Sequence, residues 1–63
     1  MKWFNIYKDG QPNSYQRVLT YSANYRDTPE MAFRIMDGQF VRLCREVTDY
    51  MYLFPPDEEN RDS

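Results

Sequence analysis

The chain has no histidine, one cysteine and two glycines in 63 residues, and each shortage removes a class of chemistry. Without imidazole there is no ordinary general base near neutral pH, no Ser-His or Cys-His nucleophile pair, and no Cys/His zinc site. A lone thiol, Cys44, cannot close an intramolecular disulfide, which points to a reducing compartment and a buried, inert cysteine. Gly10 and Gly38 stand too far apart to form a glycine-rich phosphate loop. No apolar run approaches the length of a membrane-spanning helix, and the short one after Met1 is broken by Asn5 and Lys8, unlike a signal peptide. Met1 reads as a natural start. These shortages lead to the expectation of a small cytoplasmic protein that is not an enzyme, holds no cofactor or metal, and does not enter a membrane.

Size sets a second bound. A domain of this length buries only about 60% of the surface its unfolded chain exposes, so stability must come from dense packing or a partner chain. Charge is unevenly spread. The last nine residues, PPDEENRDS, carry four acids and one base, whereas the first 54 carry six acids and seven bases. A nearly neutral domain over residues 1–54, followed by a disordered acidic tail over 55–63, is the expected organisation.

What the chain has in excess is aromatic rings: 11 of its residues are Trp, Tyr or Phe, and six of these are Tyr. Residues 2–8, KWFNIYK, read as a strand of β-forming residues, and YQRVLTYS at 15–22 alternates in the same way. Between them, DGQPNS is dense turn chemistry. A hairpin that pairs Ile6 with Val18 would set Phe4, Ile6, Val18 and Thr20 on one face. Trp3, Tyr7, Arg17, Leu19 and Tyr21 would then share the other.

Downstream, Thr28 or Asp27 before Pro29 and Glu30 has the form of a helix start. Phe33, Met36, Phe40, Leu43, Val47, Tyr50 and Phe54 follow at spacings of 3 and 4, one continuous helical stripe. Opposite charges four residues apart at Glu30–Arg34, Arg42–Glu46 and Arg45–Asp49 support it. Pro55-Pro56 would end the helix. The pattern thus predicts an α+β domain in which an N-terminal β-hairpin packs on a C-terminal helical segment, ββα. The alternative is ββαββ: Asp37-Gly38 ends the helix, and QFVRLC and YMYLF form two strands around a turn at REVTD.

Without catalytic equipment, a short protein rich in Tyr, Trp and Arg reads as a binding module. The expected function is a protein–protein interaction that regulates or inhibits a larger partner, and the size fits a phage or mobile-element product. Trp3, Tyr7, Arg17, Tyr21, Tyr25 and Arg26 are the candidate partner-binding residues. The helical stripe offers more apolar surface than one hairpin covers, so a homodimer is also expected.

The alternative function is single-stranded nucleic-acid binding, with bases stacked on the hairpin's aromatic face beside Lys2 and Lys8. Lys2-Trp3-Phe4-Asn5 is similar to the first-strand stretch of cold-shock domains, which use such rings for stacking. That resemblance covers four residues, and the glycine- and phenylalanine-rich strand that follows in the family has no counterpart here, so the family is not assigned. A net charge of −2 also weighs against nucleic acid, because affinity depends on neutralising phosphates.

Overall fold

The structure is a computed structural model and describes residues 2–53. Four short strands form one antiparallel sheet among these residues: β1 (Phe4–Asn5), β2 (Arg17–Tyr21), β3 (Phe33–Asp37) and β4 (Asp49–Tyr52). Three single helical turns interrupt them: α1 (Ile6–Asp9), α2 (Pro29–Ala32) and α3 (Gly38–Val41), with a 3-10 turn at Ala23–Tyr25. The strand order is β1-β4-β2-β3. The fold is therefore α+β, as the sequence pattern predicts, but neither the ββα nor the ββαββ order is present.

The first departure lies at Asn5. Its Oδ1 accepts from the N–H groups of Tyr7 (3.0 Å) and Lys8 (3.1 Å), while Asp9 Oδ2 accepts from the N–H of Asn5 (2.9 Å). Side-chain bonds of this kind compete with a ladder and cap a helix, so the chain turns into α1 after two strand residues. Gly10 closes α1 at φ +84°, where its N–H reaches the carbonyl of Ile6 at 3.1 Å. Ile6 consequently does not pair with Val18. Instead β4 lies between β1 and β2, with Tyr50 beside Phe4 on one side and Thr20 on the other.

The second departure concerns the expected helix through Phe33, Phe40 and Leu43. Only Pro29–Ala32 is helical at its start, with Thr28 as N-cap and Pro29 in the first turn. Phe33–Asp37 then pairs as a strand along the whole length of β2, from Tyr21↔Phe33 to Arg17↔Asp37. The 3-and-4 spacing does not hold on a strand, where Phe33 and Met36, three residues apart, fall on opposite faces. Val47 and Tyr50 are buried in this fold, but Phe33, Phe40 and Leu43 are exposed. QFVRLC, a strand in the ββαββ reading, holds most of α3 instead, and YMYLF supplies β4. Phe54, Pro55-Pro56 and the acidic tail lie outside the described residues.

Alternation along the strands divides the sheet into two faces. Val18 and Thr20 of β2 and Tyr50 of β4 point inward and are buried. With Val41 and Val47 they form the core, against which Phe4, Ile6, Met36, Cys44 and Tyr52 pack half-buried. The Thr20 hydroxyl is satisfied by donating to the carbonyl of Arg34 at 3.1 Å. Two tyrosines of β4 pin the loop between α1 and β2. Tyr50 donates to the Gly10 carbonyl (3.0 Å), and the Tyr52 hydroxyl accepts from the N–H of Asn13 (3.0 Å).

The stripe makes a clean test of this packing. Leu43 is 77% exposed and Val47 is 5% exposed, although a continuous helix would bury both. Leu43→Ala is expected to change stability by less than about 0.5 kcal/mol, whereas Val47→Ala should cost about 2 kcal/mol. Denaturant unfolding of the two variants checks this, and equal losses would favour the helix over the strands.

Candidate partner-binding face

The outward residues of the sheet are Leu19 and Tyr21 of β2, Phe33 and Ile35 of β3, and Met51 of β4. Nothing in their pattern is polar except at the ends, where Arg17 meets Asp37 (Nε to Oδ1, 3.6 Å) and Asp49 follows Thr48. Phe33 and Ile35 remain 44% and 62% exposed, while Leu19, Tyr21 and Met51 are half-buried, so this apolar side is in contact with solvent mainly along β3. An apolar sheet face normally packs against a second layer, and one left open marks an interaction surface.

At one end of the face three rings gather. The centroids of Tyr21 and Phe33 are 5.1 Å apart, and Trp3 lies 6.4 Å from Tyr21 and 6.5 Å from Phe33. Trp3 and Tyr21 meet nearly edge to face, at 71°. The three rings and Asp49 line a shallow concavity of about 350 Å³. The carboxylate of Asp49 is held by the Thr48 hydroxyl at 2.7 Å and the Asn5 amide at 3.4 Å. An apolar wall with one oriented acid favours an aromatic or aliphatic anchor beside a cation or hydrogen-bond donor.

Of the six candidate residues, this arrangement brings together two, Trp3 and Tyr21. Arg17 stands on the same face, at the far end of β2 from Tyr21, and shares a second concavity of about 450 Å³ with Ile35, Met36, Asp37, Phe40 and Cys44. Tyr7 goes elsewhere. The α1 turn carries it to a hollow with Ile6, Gln11, Val41, Arg42, Arg45 and others. Tyr25 closes the 3-10 turn and Arg26 caps it, and among the described residues no ring contact joins Tyr25 to Trp3. Phe33, Ile35, Met51 and Asp49 are the members of the face that sequence reasoning did not assign to it. The signal was present in FRIMD, where Phe33 and Ile35 alternate with Arg34 and Met36, but the helical spacing outweighed it.

Among the described residues no group of three or more His, Cys, Asp or Glu side chains is placed to hold a metal ion, and no helix is long and apolar enough to cross a membrane. No protein-family model, curated protein or solved structure matches the chain.

Proposed function

We propose that the chain is a non-catalytic interaction module that regulates or inhibits a larger protein, and that it binds through the open side of its sheet. The observation that carries this reading is the mutual contact of Trp3, Tyr21 and Phe33 on a solvent-exposed apolar face. Trp and Tyr are the residue types that dominate interface energetics, and here they are already ordered against one another, which lowers the entropic cost of binding. Leu19, Ile35 and Met51 extend the surface beyond the triad. Single-stranded nucleic acid is the weaker reading for this site. The concavity is rimmed by Asp49, with no lysine or arginine lining it among the described residues, and a phosphate backbone would meet a carboxylate there.

The experiment is affinity capture from host lysate with the native chain, Phe33→Ser and a Tyr15→Ser control. Tyr15 is 90% exposed and lies outside the face. Phe33→Ser is expected to abolish recovery of a stoichiometric protein partner, at a cost of about 2 kcal/mol or more in binding, while circular dichroism stays native. The control should bind normally. Recovery undiminished by Phe33→Ser would move the site off this face, and saturable quenching of Trp3 fluorescence by oligonucleotide would revive the nucleic-acid reading.

A further inference from the structure

β3 is an edge strand, with β2 on one side and no strand on the other among the described residues. The phase of its ladder determines which backbone groups face outward. Ser22 donates to the carbonyl of Ala32 (2.9 Å) and Gly38 to that of Gln16 (2.8 Å). Both contacts share the register that pairs Val18 with Met36 and Thr20 with Arg34. In an antiparallel ladder the hydrogen-bonded pairs alternate, so Arg34 and Met36 turn their N–H and C=O groups toward β2. Phe33, Ile35 and Asp37 turn theirs to the open edge.

Two of these outward groups are already engaged within the chain. The N–H of Phe33 donates to the carbonyl of Pro29 at the end of α2. Asp37 is the N-cap of α3, a position whose carbonyl accepts the first intrahelical bond. Among the described residues two donors remain, the N–H groups of Ile35 and Asp37. Two acceptors remain, the carbonyls of Phe33 and Ile35.

We propose that β3 pairs with β3 of a second copy of the chain, antiparallel, about a two-fold axis normal to the sheet at Ile35. In that register each Ile35 N–H donates to the other copy's Ile35 carbonyl, and each Asp37 N–H donates to the other copy's Phe33 carbonyl. Every free edge group is used and none is left over. A two-residue slip loses this match in either direction. Centred on Arg34, the pairing opposes two guanidinium groups and leaves the N–H of Asp37 unpaired. Centred on Met36, it sets Ile35 against Asp37 and leaves the carbonyl of Phe33 unpaired. Like charges directly opposite are an unfavourable cross-strand pair.

Side chains support the same register. Directly paired residues share a face, so the row Met51, Leu19, Ile35 continues without a break into Ile35, Leu19 and Met51 of the second copy. Arg34 faces Met36 and Asp37 faces Phe33, which keeps like charges apart. The strand FRIMD also lacks the lysine, proline or bulge that commonly protects an edge. The two-fold axis keeps both aromatic triads on one side of the joined sheet, so the dimer would present two copies of the face.

The test is light scattering after size exclusion on the native chain, Ile35→Lys, Ile35→Pro and Tyr15→Lys. The native chain and Tyr15→Lys are expected at twice the 7.7 kDa chain mass. Ile35→Lys opposes two ammonium groups at the axis, and Ile35→Pro deletes an N–H that β2 does not use, so both are expected at half that mass with native circular dichroism. If proline unfolds the chain, the lysine variant, at a side chain 62% exposed, decides alone. A native chain that stays at 7.7 kDa at its highest soluble concentration overturns the proposal, as does a dimer that survives Ile35→Lys.

Discussion

Gly38→Ala is expected to remove about 3 kcal/mol or more of stability, a third or more of the total for so small a domain. Gly38 is the first residue of α3 and is buried where the loop before β2 crosses it. Its N–H donates to the Gln16 carbonyl at 2.8 Å, and the next N–H, of Gln39, donates to the Ser14 carbonyl at 2.9 Å. These bonds draw two backbones together, and a methyl group at position 38 would fall on the carbonyl of Asn13, within 2.8 Å of its carbon. The obstacle is main chain rather than a flexible side chain, so it cannot rotate away. Relief requires opening the loop, which also loosens the Asn13 contact with Tyr52. Overpacking costs about 1–3 kcal/mol where side chains can adjust, and a backbone obstacle places this site at or above the upper end. A domain of this size has a total stability of only about 3–9 kcal/mol. Thermal melting should fall by more than about 12 °C if the variant folds at all.

Gly10→Ala gives the contrast. Gly10 has no neighbour within 4 Å of an added methyl, but φ +84° and ψ −176° lie in a region that suits glycine almost alone. The cost there is conformational, about 1–3 kcal/mol, and independent of packing. A Gly38→Ala variant that melts within a few degrees of the native chain would mean that the loop does not cross α3 as described.

The same two glycines show how far sequence could be read. Gly10 was legible as a turn because its neighbours, Asp9 and Pro12, belong to the same local chemistry. The alternation of Val18 and Thr20 against Leu19 and Tyr21 was legible too, since a period of two over RVLTY has no helical rival. Thr28 before Pro29 marked a helix start for a local reason. What sequence could not supply was the partner of each strand. β1 and β2 are neighbours in the chain, yet β4 lies between them, and that choice is made by Tyr50 stacking on Phe4 at 5.4 Å, a contact spanning most of the chain. The same non-local preference turned Phe33–Asp37 from the expected helix into a strand. Its helical spacing was real, but β2 aligns with all five residues of the segment and takes the backbone bonds of Arg34 and Met36. The binding face followed the same pattern. Trp3 and Tyr21 were legible as exposed rings, while Phe33 could join them only once β3 existed.

Tyr50→Ala is expected to cost about 3–5 kcal/mol, comparable to the total stability of so small a domain. Tyr50 is 3% exposed and lies at the centre of the aromatic packing, with Phe4 stacked on it and Tyr52 edge-on at 5.7 Å. Its neighbours Val18, Val41 and Val47 are stiff, β-branched side chains that cannot spread into the space an alanine leaves. Tyr50→Phe separates the ring from its hydroxyl. It keeps the packing and loses the hydroxyl with its bond to the Gly10 carbonyl, for about 1 kcal/mol. The hydroxyl carries a second readout. Burial raises the Tyr50 pKa above its ordinary 10.0, with the neighbouring Tyr52 and Asp9 charges acting in the same direction. The folded chain therefore holds this proton to higher pH than the unfolded chain does. Its contribution is complete below pH 10 and declines as pH rises through the folded-state value. Denaturant unfolding of the native chain and Tyr50→Phe on both sides of pH 10 measures the difference. The native chain should lose more stability than Tyr50→Phe on the alkaline side, so that the gap between them narrows. A gap that stays constant would show the hydroxyl to be hydrated in the folded state, and a Tyr50→Ala chain that melts like the native one would remove β4 from the centre of the core.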